Sequence, residues 1–202
     1  MKNHLQFSWW KYLLVLLIPA VIWTSVFQAL AKPNADERVG VLYVGQSLDA
    51  ELLQQQLAAA LPELSTQPLL AVTVTQTEIP ELNYRNILIS RTFDYDIIII
   101  EKSSLQPDGN QMIFNFLPEG LQACFPGASF YSEDGGEGEM LPVGMVLDPD
   151  SGSRFFDFCR TDEPCYLFFS PESVNFDTKN GNGNPGNDAA LQTAYYLLEV
   201  TP

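Results

Sequence analysis

The sequence predicts an α/β domain, its mostly parallel sheet flanked by helices, placed behind an N-terminal transmembrane helix. Three observations carry this. Residues 96–101 (DIIIIE) set four isoleucines in succession, which suits a strand buried on both faces, as in a parallel sheet covered by helices. Ahead of that run, segments of strand and helix character alternate, the order of βαβ units with right-handed crossovers. Residues 13–31 (LLVLLIPAVIWTSVFQALA) carry no charged side chain. At about 1.5 Å per residue they nearly match a hydrocarbon core of roughly 30 Å.

Taken in order, residues 1–12 form a cytoplasmic N-terminus in which Lys2 and Lys11 precede the apolar run, and Trp9, Trp10 and Tyr12 suit the headgroup layer. Residues 13–31 form the anchor, within which Pro19 is tolerable. The competing reading is a cleaved signal peptide ending at Ala29-Leu30-Ala31. Either way residues 32–38 are a linker and 39–202 an extracytoplasmic domain. The expected location is the cell membrane, single-pass, with the C-terminal domain outside.

Within the domain, 39–44 (VGVLYV) is a short buried strand closed by Gly45. Ser47 or Asp49 caps a helix on which Leu48, Leu52, Leu53, Leu57 and Leu61 recur at helical spacing, and Pro62 ends it. Residues 69–77 form a second, β-branched strand, and a short helix around 82–91 leads to the isoleucine strand. Residues 111–116, 140–147 and 165–169 read as further strands, and 189–199 as a final helix. Residues 132–139 (SEDGGEGE) and 180–188 (NGNGNPGND) read as loops.

The net charge of -15 repels phosphate backbones and disfavours nucleic acid as a partner. The single histidine is His4, ahead of the anchor, so no His-dependent triad, dyad or zinc site can be built in the exported domain. The three cysteines are Cys124, Cys159 and Cys165. Cys159 and Cys165 can close a small loop and leave Cys124 over, or all three can remain buried thiols. No metal and no cofactor is expected.

Ligands of α/β sheets sit beyond the carboxyl ends of the strands. Those positions are Gly45, Gln46 and Ser47 after the first strand, and Glu101, Lys102 and Ser103 after the isoleucine strand. Tyr43 would add an aromatic wall. The ligand-binding candidates are therefore Tyr43, Gly45, Gln46, Ser47, Glu101 and Ser103. Asp177, Asn180, Asn182, Asn184 and Asp188 offer oxygen ligands of the kind calcium takes, without the EF-hand pattern. Asp94 with Asp96, and Asp148, Asp150 and Asp157, are the carboxylates a hydrolase would draw on.

Trp9-Trp10-Lys11-Tyr12, the strand GVLYVG, Asp94-Tyr95-Asp96 before the isoleucines, Ser170 to Asn175, and the terminal Asp188-Ala189-Ala190-Leu191 and Tyr195-Tyr196-Leu197-Leu198 form a pattern. It resembles a group of uncharacterised membrane-anchored proteins of Gram-positive, Clostridia-like gut bacteria. The resemblance implies an extracytoplasmic α/β domain similar to solute-binding proteins, with no ligand or catalytic residue to carry over. The chain is short for both lobes of such a protein. The expected function is a non-catalytic, membrane-tethered module that binds a small solute or a cell-surface component. The alternatives are an envelope interaction protein, in which 125–131 (FPGASFY) or Phe155-Phe156 would be contact surface, and a carboxylate-based hydrolase.

Overall fold

The structure, a computed structural model, describes residues 11, 13–23, 37–64, 71–107, 109–136, 138–173 and 189–199. The chain divides into two units, Met1–Asn34 and Ala35–Pro202. In the first, residues 13–23 are helical with exposed side chains. Among the described residues no helix is long and apolar enough to cross a membrane. Residues 24–31 of the expected span lie outside the described residues.

The second unit is built on one six-stranded sheet. Its strands are β1 (Arg38–Val44), β2 (Ala71–Thr77), β3 (Ile97–Glu101), β4 (Phe130–Asp134), β5 (Met140–Leu147) and β6 (Cys165–Phe169), in the spatial order β2-β1-β3-β6-β5-β4. The helices are α1 (Ala50–Leu64), α2 (Tyr84–Thr92), α3 (Gln111–Phe114), α4 (Glu119–Ala123) and α5 (Ala189–Leu198).

The α/β class holds, and the four isoleucines behave as a doubly covered strand. Ile97 and Ile99 pack with Leu53, Leu57 and Leu61 of α1, while Ile98 and Ile100 pack with Tyr84 and Leu88 of α2. From β1 the chain steps outward to β2 over α1, then back across β1 to β3 over α2. The two steps run in opposite directions with helices on opposite faces, so both crossovers have the same hand.

The expectation of a mostly parallel sheet is corrected. β2, β1 and β3 are parallel, but β6 pairs antiparallel with β3, β5 with β6, and β4 with β5. A parallel neighbour needs a crossover of a dozen or more residues. Between β4 and β5 there are only residues 135–139, which close as a hairpin through Gly135 N donating to the Glu139 carbonyl at 2.8 Å. The acidic run expected to be all loop therefore contributes Ser132, Glu133 and Asp134 to a strand.

Two further expectations change. Pro62 lies inside α1 and does not end it; the helix runs on to Leu64, because a proline so near the carboxyl end frees only the carbonyl of Ala58. Residues 111–116 are not a strand. Gln111–Phe114 is one helical turn, closed by Asn115 at φ 62°, and its amino end is held by the Glu133 carboxylate. Phe114 of this turn stacks on Phe168 of β6 with ring centroids 4.4 Å apart. That contact needs Gly144 in the neighbouring β5, where an added Cβ would come within 2.7 Å of the Phe168 ring and 2.8 Å of the Leu167 carbonyl oxygen.

Tyrosines are prominent in this core, and burial raises the pKa of Tyr43, Tyr84, Tyr131, Tyr166 and Tyr195, the last to about 12. The neutral phenol is favoured in the folded state, while in the unfolded chain it ionises near 10. Their contribution is therefore complete below about pH 10 and is lost as pH rises through the folded values. We expect melting temperature to fall steeply above about pH 10, with phenolate absorbance appearing together with unfolding. All eight tyrosines titrating near pH 10 in a domain that keeps its circular dichroism would contradict this.

Candidate functional site

In strand order β2-β1-β3, the chain leaves β1 toward one side and approaches β3 from the other, so their carboxyl ends border a topological switch point, where open α/β sheets place ligands. A groove of about 580 Å³ lies at this edge. It is lined by Gln46, Ser47, Leu48, Asp49, Ala50 and Glu51 from the turn into α1, by Gln76 near the end of β2, and by Phe158 and Arg160.

The opposite wall comes from far along the chain. Asp49 N donates to the Phe158 carbonyl at 2.8 Å, Arg160 N donates to the Ser47 carbonyl at 2.9 Å, and Leu48 and Cys159 form an antiparallel bridge. The strip 158–160 thus lies against the β1–α1 turn as a short added strand. Gln76 Nε2 donates to the Gly45 carbonyl at 3.0 Å and Gly45 N to the Thr77 carbonyl at 3.1 Å, which ties the end of β2 to the same turn.

The floor is a buried polar knot. Tyr43 Oη donates to Glu101 Oε2 at 3.1 Å, and the Gln46 backbone N–H donates to the same oxygen at 3.3 Å. Glu101 is 8% exposed and Tyr43 wholly buried. A carboxylate so deep is tolerable because it is hydrogen-bonded. Gly45 makes the knot possible by close approach: a Cβ there would stand 2.4 Å from Glu101 Oε2 and 2.7 Å from the Tyr43 ring.

Of the candidate residues, Tyr43, Gly45, Gln46 and Glu101 are brought together. Only Gln46 and Ser47 line the groove itself. Tyr43 is part of the floor and presents no aromatic wall. Ser103 stands apart, its N–H donating to Glu163 Oε2 at 3.0 Å. Phe158 and Arg160 carry no local signal that would place them here, since their position depends on a pairing across more than a hundred residues. Asp49 and Glu51 were legible as helix-start residues, and Asp49 does cap α1, its Oδ1 accepting from Leu52 N at 3.0 Å. That carboxylate occupies the positive end of the helix, so α1 offers no open cradle for an anion.

The remaining candidates lie elsewhere. Asp96 clamps the far end of the sheet, its Oδ2 accepting from Gly40 N at 2.8 Å and its Oδ1 from the Ser173 hydroxyl. A cavity of about 70 Å³ beside it, with Arg38, Asp94 and Glu172, has room for a few waters only. Asp148 accepts from Asp150 N at 2.9 Å and caps a 3₁₀ turn. None of these carboxylates lines the groove. Phe125 and Phe155 are buried in the core. Among the described residues no group of three or more His, Cys, Asp or Glu side chains is placed to hold a metal ion. The Asn/Asp loop that was the calcium candidate lies outside the described residues.

No family model, curated protein or solved structure matches this chain. The reading of the groove rests on its own residues. Chemically it presents exposed amides (Gln46, Gln76), exposed carboxylates (Asp49, Glu51) and one guanidinium (Arg160) over a small apolar base of Leu48 and Phe158. The Arg160 side chain makes no ion pair among the described residues. Such a lining holds a ligand by hydrogen bonds and opposite charges, with the half-buried Ser47 hydroxyl beside them.

Proposed function

We propose that the chain is a membrane-tethered, extracytoplasmic binding module whose groove takes a small zwitterionic solute of the amino-acid or short-peptide class. The observation that carries this is the groove at the switch point, where a guanidinium without an ion pair among the described residues lines the same small-ligand-sized space as carboxylates and amides. Arg160 would pair the solute's carboxylate, Glu51 its ammonium group, and Gln46 and Gln76 its amide or hydroxyl groups. The uncharged run 13–31, with aromatic residues at its start, supports tethering, and the resemblance to membrane-anchored proteins with solute-binding-like domains fits the same reading.

The test is a thermal-shift and calorimetric screen on the full chain in detergent micelles, with amino acids, short peptides and neutral sugars. A solute that binds only the folded state raises the melting temperature in step with its concentration. Binding by amino acids or peptides, weakened roughly tenfold or more in Arg160→Ala at unchanged stability, is the expected result. Shifts with neutral sugars alone, or none with any solute, would overturn it.

A second reading has one observation behind it. Leu82 (93% exposed), Ile89 and Phe93 (67% exposed) lie on the outward side of α2 and its flanking turns, with exposed Met112. An apolar strip of this kind suits an envelope protein partner. It would come forward if the solute screen stayed silent.

A further inference from the structure

Two thiols that the groove chemistry does not use lie directly under its wall. Cys165 opens β6 and stands opposite Glu101 in the β3–β6 ladder, next to Pro164, whose carbonyl accepts from Lys102 N at 3.1 Å. Cys159 is the centre of the 158–160 strip that pairs with the β1–α1 turn. The Cys159 thiol donates to Tyr43 Oη at 3.4 Å, and Tyr43 Oη in turn donates to Glu101, the residue that Cys165 stands opposite in the ladder, so both cysteines border one buried neighbourhood. Only residues 160–164 separate the two cysteines. Cys124 belongs to another neighbourhood, beside Tyr195, its thiol donating to the Gly120 carbonyl at 3.3 Å.

The fold therefore selects one pair out of three cysteines. We propose that Cys159 and Cys165 close a disulfide that staples the 158–160 strip to the start of β6 and so fixes Phe158 and Arg160 as the groove wall. The bond is independent of the solute reading; only its consequence for the groove rests on that reading. In the reduced domain the neighbouring Cys165 thiol holds Cys159 below its usual range against the opposing effect of burial, and the Cys159 thiol together with burial pushes Cys165 up.

The step is a thiol–disulfide exchange with a donor disulfide of the glutathione class. The Cys159 thiolate attacks one donor sulfur, the donor S–S bond breaks, and its other half leaves as a thiolate that takes up a proton. The Cys165 thiolate then attacks the Cys159 sulfur of the mixed disulfide and expels the second donor thiol. The two cysteines lose two protons and two electrons, and the donor gains them and departs as two thiols. Cys159 is 3% exposed and Cys165 wholly buried, so a bulky donor reacts while the strip is still undocked, during folding. Once closed, the bond is shielded by the same packing.

The experiment refolds the reduced full chain, in detergent micelles, into a buffer of reduced and oxidised glutathione. Unreacted thiols are then alkylated and the digest is mapped without reduction. We expect a linked peptide pair joining Cys159 to Cys165, an alkylated Cys124, and a protein mass lower by two hydrogens before alkylation. Refolding in dithiothreitol in place of the glutathione buffer should lower the melting temperature by roughly 4–8 °C, in wild type and in Cys124→Ser alike. Cys165→Ser should show no such response. Three alkylated thiols after oxidative refolding, or a linkage through Cys124, would overturn the proposal. Failure of the solute screen would leave this map untouched, so the two ideas fail separately.

Discussion

Glu133→Ala is expected to lower the stability of the domain by at least about 3 kcal/mol, read as a reduced denaturant midpoint at unchanged slope. Glu133 is 6% exposed in β4, and its two oxygens receive five hydrogen bonds. Oε1 accepts from Asn110 N at 3.3 Å, Asn110 Nδ2 at 2.7 Å and Tyr131 Oη at 2.9 Å. Oε2 accepts from Gly109 N at 3.2 Å and Gln111 N at 3.1 Å. Removing the carboxylate leaves those donors short of partners in a mostly closed space, and each buried donor left unmade costs about 1–3 kcal/mol.

Glu133→Gln separates charge and hydrogen bonding from bulk. Every partner of both oxygens is a donor, so whichever way the amide turns, its NH₂ group faces N–H or O–H groups. The near-isosteric glutamine should therefore recover only part of the loss. An Ala variant within about 1 kcal/mol of wild type would show that water replaces the carboxylate without cost, and a Gln variant as stable as wild type would show that the charge and the second acceptor oxygen contribute nothing.

Phe168→Ala should destabilise by a comparable amount, about 3–5 kcal/mol, the usual cost of truncating a buried phenylalanine. Phe168 is fully buried, stacked on Phe114, and meets the Tyr131 ring edge-on at 6.0 Å between centroids. Its removal would open a cavity beneath α3, with β5 and β6 too firmly paired to close it. The stacking itself can be isolated by a double-mutant cycle with Phe114→Ala, where a coupling of about 0.5–1.5 kcal/mol is expected. Strict additivity would mean the two rings share a cavity without attracting one another.

Both residues sit in the half of the domain least legible in the sequence. The amino-terminal half declared itself because its elements obey local rules. The isoleucine run, the leucines of α1 at helical spacing and the β-branched β2 each state a period that is the same whatever they pack against. In the carboxyl-terminal half, a buried glutamate interrupts the β4 pattern, and residues 111–116 look like a strand to a reading that sees only Met, Ile and Phe. What makes them helical is a carboxylate more than twenty positions later.

The candidate site divides the same way. That Gly45, Gln46 and Glu101 lie at adjoining strand ends follows from treating the chain as strand, helix and strand in alternation, and those positions do meet. That Tyr43 turns inward to Glu101 follows from which face of β1 meets the core at its last turn, and a run buried on both faces has no alternation to reveal it. Arg160 and Phe158 were beyond reach, because no spacing in the sequence says that 158–160 pairs with 47–49.

By itself, then, the sequence determined the α/β class, the placing of β1, α1, β2 and β3, the absence of histidine chemistry from the domain and the standing of Gly45, Gln46 and Glu101 at adjoining strand ends. Each of these depends on residue type or on short-range periodicity. Only the tertiary structure decided that the sheet is mixed, that Glu133 organises its far edge, that Cys159 and Cys165 border one buried neighbourhood apart from Cys124, and that Arg160 lines the groove. These are pairings between residues distant in the chain, chosen by which contacts satisfy buried donors and fill the core together, and no local pattern encodes that choice.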